Sequence, residues 1–242
     1  MLRTIWAALA AFLVTIPLAT SVMLIALVKS NARVIDWIIR LWARLVVAGA
    51  GIDLKTVGGE RVDPAQRYIL VGNHHSYYDI PCVFAGISSQ PIRFMAKVSL
   101  FKIPIFGWAI GRAGFIPIDR KNRRTAVKSF DLAAQRIRKG NTIVVFPEEG
   151  RSRERTMRPF QRGGFLLALR SELPILPIAI DGTYDVFRAG ASRITAGPVT
   201  IRVGTPIPTE GLTVRDKERL LQESRDQIER MLSDAPPAPA AP

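Results

Sequence analysis

The chain has 242 residues, 48% of them hydrophobic, so it is long and apolar enough to bury a core, which excludes a largely disordered protein. Its 34 Lys and Arg against 20 Asp and Glu give a net charge of +14, which indicates an anionic partner: nucleic acid, a lipid surface or a phosphorylated substrate. The single cysteine, Cys82, excludes an intrachain disulfide and lacks the His and Cys neighbours of a zinc site.

The first predicted element is an apolar helix. No residue from Ile5 to Val28 is charged, and about 20 such residues suffice to cross the hydrocarbon core of a bilayer. A cleaved signal peptide is the alternative, but the apolar run is longer than a usual signal and no A-x-A cleavage site follows it. Pro17 interrupts the run, so the pattern fits a kinked or re-entrant helix as well as a straight span.

The next segment, residues 33–49, predicts an amphipathic helix. A narrow polar stripe recurs every three or four positions, and it consists of Arg33, Asp36, Arg40 and Arg44. A soluble protein could bury the apolar remainder in its core, but two Trp beside Arg, directly after an apolar run, favour a helix at the lipid interface. Residues 1–50 are therefore predicted to form a helical hairpin that anchors the chain in a membrane.

After residue 51 the pattern changes to short β-rich runs that alternate with helical ones, which predicts an α/β domain over residues 51–233. Seven runs are predicted as strands: 52–57, 68–73, 92–97, 114–118, 142–147, 175–180 and 199–204. Thr213 and Asp216 spell a capping box before a charged helix that ends at about Leu232. Residues 234–242 are rich in Pro and Ala and are predicted to be a disordered tail.

The stretch "VGNHHSYYDIP", residues 71–81, contains both histidines of the chain. On one continuous helix, His74 and Asp79 would point about 140° apart, so they can meet only if His74 lies in a loop and Asp79 in the first helical turn. Pro81 supports a helix that begins near residues 77–79, because proline is tolerated only in a first turn. The alternative is structural: Asp79 caps the helix, and Ser76 with Asp79 forms a capping box.

Four ordered blocks of the sequence resemble those of the glycerophospholipid acyltransferases, the family that includes the 1-acylglycerol-3-phosphate acyltransferases. The blocks are the N-H-x-S-x-x-D pattern at 73–79, "AKVSLFKIPIFGWAIGRAGFIPIDR" at 96–120, "FPEEGRSR" at 146–153 and "ILPIAI" at 175–180. The resemblance implies a mixed central β-sheet flanked by helices. It also implies transfer of a fatty acyl group from acyl-CoA or acyl-carrier protein to the hydroxyl of 1-acylglycerol 3-phosphate, giving phosphatidic acid, without a further cofactor.

The resemblance assigns the chemistry to a dyad. His74 would act as the general base that takes the proton of the acceptor hydroxyl, a task that suits neutral imidazole near pH 7. Asp79 would hold the other ring nitrogen and stabilise the imidazolium. No acyl-enzyme is required, because a thioester is already activated, so Ser76 is more simply a cap. Cys82 is interpreted as a core residue about eight positions into the helix.

The resemblance also implies a phosphate site formed by Lys97, Arg120 and Arg151, since Arg grips two phosphate oxygens at once. Glu148, Gly114 and Ser76 would shape the acceptor site. The alternative for the arginines is that they are solvated surface charges.

Three positions depart from the family pattern: Glu149 and Gly150 stand in place of its glycine and threonine, and Ser99 stands where glutamate is common. An extra carboxylate repels an anionic substrate unless it points away. These departures leave room for a different acceptor, such as an amine-bearing lyso-lipid.

Two rival functions are weighed against this one. A membrane-tethered nucleic-acid binder would need a recognisable module or basic residues interleaved with exposed aromatics, and neither is visible, so we expect no nucleic-acid partner. A metal-dependent hydrolase using His74, His75 and Asp79 would recruit further ligands, and no other His exists, so we expect no metal. Basic residues flank the apolar run on both sides, which predicts a hairpin on the cytoplasmic face of the inner (plasma) membrane.

Overall fold

The computed structural model describes residues 1–28, 33–87, 89–119 and 123–234, with the backbone alone for 123–128. Within these residues the centre of the fold is a seven-stranded sheet with strand order β1-β7-β6-β2-β5-β3-β4. The strands are β1 (Ile52–Val57), β2 (Ile69–Gly72), β3 (Ile92–Lys97), β4 (Ile116–Ile118), β5 (Thr142–Val145), β6 (Ile175–Asp181) and β7 (Gly197–Val203). Each of the seven predicted strands is present, and the mixed α/β sheet is confirmed.

Five strands of the sheet run in the same direction. β2 pairs in parallel with β5 and β6, and β3 pairs in parallel with β5 and β4, while β6 and β7 are antiparallel. All four residues of β2 are buried, as expected for a central strand covered on both faces. The carboxyl ends of β2, β3, β4, β5 and β6 therefore meet at one edge, where open α/β sheets bind ligands.

Helices cover both faces of the sheet. They are α1 (Leu2–Val28), α2 (Arg33–Gly49), α3 (Asp79–Gly86), α4 (Phe106–Arg112), α5 (Arg123–Arg138), α6 (Gly163–Ser171), α7 (Thr183–Phe187) and α8 (Lys217–Ser233). One apolar core joins the sheet to α1, α2, α3 and α4, and a second joins it to α5, α6 and α8. Successive β2 residues alternate between the two: Leu70 packs in the first core, and Ile69 and Val71 pack in the second.

The N-terminal helix α1 runs without a break through Pro17. In the described part of the chain it is the one helix long and apolar enough to cross a membrane. Its first half leaves large apolar side chains exposed: Ile5, Trp6, Leu9, Phe12 and Leu13. Apolar surface of this extent on a helix is typical of contact with lipid.

The amphipathic helix α2 packs on the α/β domain along one face, and part of its polar stripe takes part in this contact. Asp36 accepts a hydrogen bond of 2.6 Å from the buried Arg93 of β3, and Arg40 donates to the backbone of Gln90. Ile35 is fully buried, while Trp37 stays exposed. The local sequence could not reveal this face, because the partner of Asp36 lies 57 positions away.

The α/β domain begins with β1 and ends with α8. α2 ends at Gly49 and β1 begins at Ile52, close to the predicted boundary at residue 50. At the other end, Thr213 and Asp216 form the predicted capping box, which closes a 3-10 turn ahead of α8. The predicted tail lies outside the described residues from position 235 onward.

Candidate active site

His74 and Asp79 meet where the chain leaves β2 and enters α3. His74 lies in the loop after Gly72, and Asp79 is the first residue of α3. The His74 Nδ1 and Asp79 Oδ2 atoms are 2.7 Å apart, with 13% of the histidine side chain exposed and the aspartate side chain buried completely. Pro81 is the third residue of α3, within the first turn. The geometry expected from the spacing is therefore present.

The Asp79 carboxylate accepts three further hydrogen bonds. The backbone N–H groups of His75 and Ser76 donate to Oδ2, each at 2.8 Å, and the Thr183 hydroxyl donates to Oδ1. Thr183 is fully buried and begins α7, directly after β6. The sequence interpretation missed Thr183, although its position just beyond the strand "ILPIAI" puts it at the same sheet edge as His74. These bonds fix the carboxylate in one orientation.

The His74 ring is also held by stacking on its face. It stacks on Phe146, the residue after β5, with 4.2 Å between ring centroids and 9° between planes. Since Nδ1 faces the carboxylate, the neutral ring donates from Nδ1 and keeps an acceptor lone pair on Nε2. The ring has its orientation set by Phe146 and its tautomer set by Asp79, so Nε2 is the atom available to take a proton.

Glu148 lies behind the loop that carries His74, with its side chain buried. One carboxylate oxygen accepts the His74 backbone N–H at 2.6 Å, and the other accepts the Arg158 backbone N–H at 2.8 Å. Burial raises the pKa of Glu148 to about 7, against the opposing effect of these hydrogen bonds. The Ser152 N–H also donates to the His74 carbonyl, at 2.8 Å. Residues 148–158 thus hold the backbone of the histidine.

Two buried polar residues tie the loop to β6 and α7. The Asn73 amide donates to the Ile180 carbonyl at 2.9 Å and accepts from the Ile180 N–H at 2.7 Å. The Ser76 hydroxyl donates to the Phe187 carbonyl at 2.7 Å and accepts from the Tyr78 N–H at 3.2 Å. Ser76 therefore lies inside the loop's scaffold, with its hydroxyl engaged by the backbone.

The candidate phosphate ligands fall in three different situations. The Arg151 guanidinium lies 3.4 Å above the centre of the Tyr77 ring. Tyr77 is half-exposed and precedes Asp79 by two residues. Lys97 is exposed at the carboxyl end of β3, on the same sheet edge. Arg120 lies outside the described residues, two positions after β4.

Gly114 lies away from this edge. It precedes β4 by two residues, at the amino end of the strand, and has φ +94°. A Cβ at this position would come within 3.3 Å of the Arg136 guanidinium. The structure therefore gives Gly114 a backbone role beside Arg136 and does not bring it to His74.

The remaining reactive side chains of the loop are buried. Cys82 is the fourth residue of α3, not the eighth, because the helix begins only at Asp79. Burial raises the pKa of its thiol far above the ordinary value, which keeps it protonated and unreactive. Burial also lowers the pKa of His75, whose ring meets Tyr184 edge-on. Among the described residues, no group of three or more His, Cys, Asp or Glu could hold a metal ion.

An apolar cavity of about 100 Å³ lies between the N-terminal helices and the sheet. Its lining comes from α1, α2, α3, β3 and α4, and it includes Phe84 and Phe94. Phe94 lies 5.6 Å from Phe146, which stacks on His74. The Phe94 and Phe146 rings thus lie between the His74 ring and this apolar cavity.

Comparison with known proteins places these features in a family context. A sequence model of the family described as "Acyltransferase" matches residues 53–181. The human 1-acyl-sn-glycerol-3-phosphate acyltransferase alpha is 34% identical over 179 residues, which cover 74% of this chain and 63% of that protein. The 1-acyl-sn-glycerol-3-phosphate acyltransferase of Saccharomyces cerevisiae is 31% identical over 193 residues, or 78% of this chain and 63% of its own length. The chain thus spans a little under two thirds of these relatives.

A similar fold is known from a crystal structure. The 1-acyl-sn-glycerophosphate acyltransferase of Thermotoga maritima has a TM-score of 0.83 to this chain and 23% identity. The match covers 96% of this chain and 94% of that one. The likeness therefore includes the two N-terminal helices as well as the sheet.

Proposed function

Because the chain belongs to the acyltransferase family, we propose that it transfers a fatty acyl group from a thioester donor to the free hydroxyl of 1-acylglycerol 3-phosphate, giving phosphatidic acid. The observation that carries the proposal is the His74–Asp79 pair, 2.7 Å apart at the carboxyl edge of the sheet. The relatives named 1-acyl-sn-glycerol-3-phosphate acyltransferase support the choice of acceptor.

The proposed reaction uses His74 Nε2 as the general base. It takes the proton of the acceptor hydroxyl while the hydroxyl oxygen attacks the thioester carbonyl carbon. As the tetrahedral intermediate collapses, the carbon–sulfur bond breaks and the imidazolium returns its proton to the leaving thiolate. Asp79 balances the positive charge on the ring during the step, and no covalent enzyme intermediate forms.

The proposed binding of the acceptor rests on two kinds of surface. The Arg151 guanidinium, held over Tyr77, would bind the phosphate, with Lys97 at the same edge and Arg120 as a further candidate. The apolar cavity behind Phe94, of about 100 Å³, would receive part of an acyl chain. Together they would hold the hydroxyl between a charged and an apolar site.

The proposed place of action is the cytoplasmic face of the membrane. The exposed apolar side chains of α1 would hold the site against the lipid surface in which a lysophospholipid resides. Positive charge near that surface attracts anionic head groups, by about 1 kcal/mol for each well-placed residue. Acyl-CoA or acyl-carrier protein would serve as donor from the aqueous side.

The test is acyl transfer by purified protein in lipid, with wild type and His74→Ala compared on lysophosphatidate and on lyso-lipids with other head groups. We expect lysophosphatidate to be the best acceptor and His74→Ala to lower kcat by about a thousandfold, as for the loss of a general base. Activity on another lyso-lipid alone would keep the mechanism and reassign the acceptor. A fully active, folded His74→Ala variant would refute the proposed base.

A further inference from the structure

The loop that follows β5 lines a second cavity, of about 440 Å³ and open to solvent, beside the loop of His74. Three arginines line it: Arg151, Arg153 and Arg158. The Ser152 N–H, which donates to the His74 carbonyl, fixes one wall of this cavity against the catalytic loop. The cavity is therefore within reach of a molecule whose reacting end lies at His74.

The charge of this cavity is strongly positive. The two neighbouring arginines, Arg155 and Arg162, are paired with Asp185 and Glu218. In the described part of the chain, by contrast, the guanidinium groups of Arg153 and Arg158 form no ion pair. One carboxylate, that of Glu154, lines the cavity against three guanidinium groups. An anionic ligand would complete this arrangement.

Gly150 faces the end of the Arg158 side chain. A Cβ on Gly150 would come within 2.7 Å of Arg158 Nη1, so a larger residue there would move this guanidinium, the exposed end of a flexible side chain. The resembled family has threonine at this position. The neighbouring departure, Glu149, does not oppose the arginines, because its exposed side chain lines a different cavity, with Phe130 and Gln161.

The size and chemistry of the cavity indicate a small phosphorylated ligand. Its volume falls in the range of small-molecule sites, about 300–1,000 Å³, whereas protein partners need broad surfaces of about 800 Å² on each side. Planar guanidinium groups grip phosphate oxygens in pairs. In the proposed function, Arg151 binds the single phosphate of a lysophosphatidate acceptor. This leaves Arg153 and Arg158 to bind other phosphates.

We propose that Arg153 and Arg158 form a second phosphate subsite that binds the nucleotide phosphates of a coenzyme A thioester donor. This inference rests on the proposed function for the identity of the donor. It selects the coenzyme A thioester over the acyl-carrier protein, whose prosthetic group lacks the nucleotide and its additional phosphates.

The first test is equilibrium binding of free coenzyme A to the full-length protein in detergent, measured by calorimetry. We expect Arg158→Gln and Arg153→Gln each to weaken binding about tenfold, the cost of a lost hydrogen bond to a charged group. Gly150→Thr should weaken it less, because it moves the end of the flexible Arg158 side chain without removing its charge. Arg170→Gln, an exposed arginine of α6, is the matched control and should bind like wild type. Pantetheine, which lacks the nucleotide, should bind all of these proteins equally.

The second test is steady-state kinetics with the same variants. We expect a higher KM for acyl-CoA in Arg158→Gln, with the KM for lysophosphatidate unchanged. A raised KM for lysophosphatidate alone would assign the subsite to the acceptor. A raised KM for acyl-carrier protein alone would make it a protein-docking site. Either result overturns the proposal, and so does unchanged binding of coenzyme A to the variants. If wild type transfers no acyl group but binds coenzyme A through Arg158, the subsite stands and the proposed function fails.

Discussion

The Asp79 carboxylate is the most heavily hydrogen-bonded group of the site. Its partners are the His74 ring, two backbone N–H groups of the same loop and the Thr183 hydroxyl. Three of the four come from within five residues, so they form whenever the loop forms. Thr183 follows the end of another strand, β6, and its hydroxyl holds the second carboxylate oxygen, Oδ1.

We predict that Thr183→Val lowers kcat about tenfold with little change in KM. The substitution keeps the shape of the side chain but removes the donor to Asp79 Oδ1, so the carboxylate can turn and the His74 ring is held less well. Thr183→Ser, which keeps the hydroxyl, should restore most of the activity. Steady-state kinetics of the three proteins check this, and equal losses in the Val and Ser variants would mean that the residue only packs.

Glu148 predicts a pH dependence of stability. Its pKa is about 7 in the folded protein against an ordinary value of 4.5, because burial favours the neutral form. The folded protein thus binds this proton more tightly than the unfolded chain does, so the contribution of Glu148 to stability is fully present below pH 4.5 and is lost as the pH rises through about 7. A shift of this size corresponds to about 3 kcal/mol in the free energy of unfolding.

The measurement for Glu148 is denaturant unfolding of wild type and Glu148→Gln between pH 4.5 and 8. The variant does not titrate at this position, so the difference between the two proteins isolates the carboxyl group from all other titrating residues. The free energy of wild type should fall relative to the variant as the pH rises. A difference that stays constant over this range contradicts the prediction.

At the scale of elements, the seven strands could be predicted because each is a short β-rich run bounded by turn residues. The start of α3 could be predicted because Pro81 restricts it. What the sequence could not reveal are contacts between elements distant in the chain: the stacking of Phe146 on His74, the bond from Thr183 to Asp79, and the pairing of α2 with β3. A family block likewise does not say which end of a strand a residue occupies, as Gly114 illustrates.

We predict that Asp36→Ala destabilises the protein by about 3–5 kcal/mol, since it leaves the buried Arg93 guanidinium without its charged partner. The double variant Asp36→Ala with Arg93→Met should recover most of this loss, because no unpaired charge remains. The matched control is Asp53→Ala, which breaks an exposed pair with Lys55 and should cost less than about 1 kcal/mol. Equal effects of Asp36→Ala and Asp53→Ala would show that the α2 contact contributes no more than a surface pair.

For the whole molecule, two separate properties favour a lipid surface: the net charge of +14 and the exposed apolar side of α1. They differ in their response to salt. At about 1 M NaCl the screening length is near 3 Å, so attraction between exposed charges is largely lost, while apolar burial persists.

We predict that wild type stays bound to anionic vesicles at about 1 M NaCl. A variant with Leu9→Glu and Phe12→Glu, two exposed residues of α1, should bind the same vesicles at low salt and be released at high salt, because charge alone then holds it. Vesicle co-sedimentation at both salt concentrations checks this. Release of wild type at high salt would mean that α1 does not enter the lipid.

The hydrogen-bond partners of residues 74–79 are distant in the sequence. They include Glu148, Thr183 and Phe187, at separations of 74, 104 and 111 positions. Contacts of such long range form late, because the intervening chain must first be closed into a loop. A chain still being synthesised therefore has His74 long before the bonds that hold the His74–Asp79 pair can form. In a refolding experiment, the proposed acyl transfer should return with the slowest phase, after most of the helix signal.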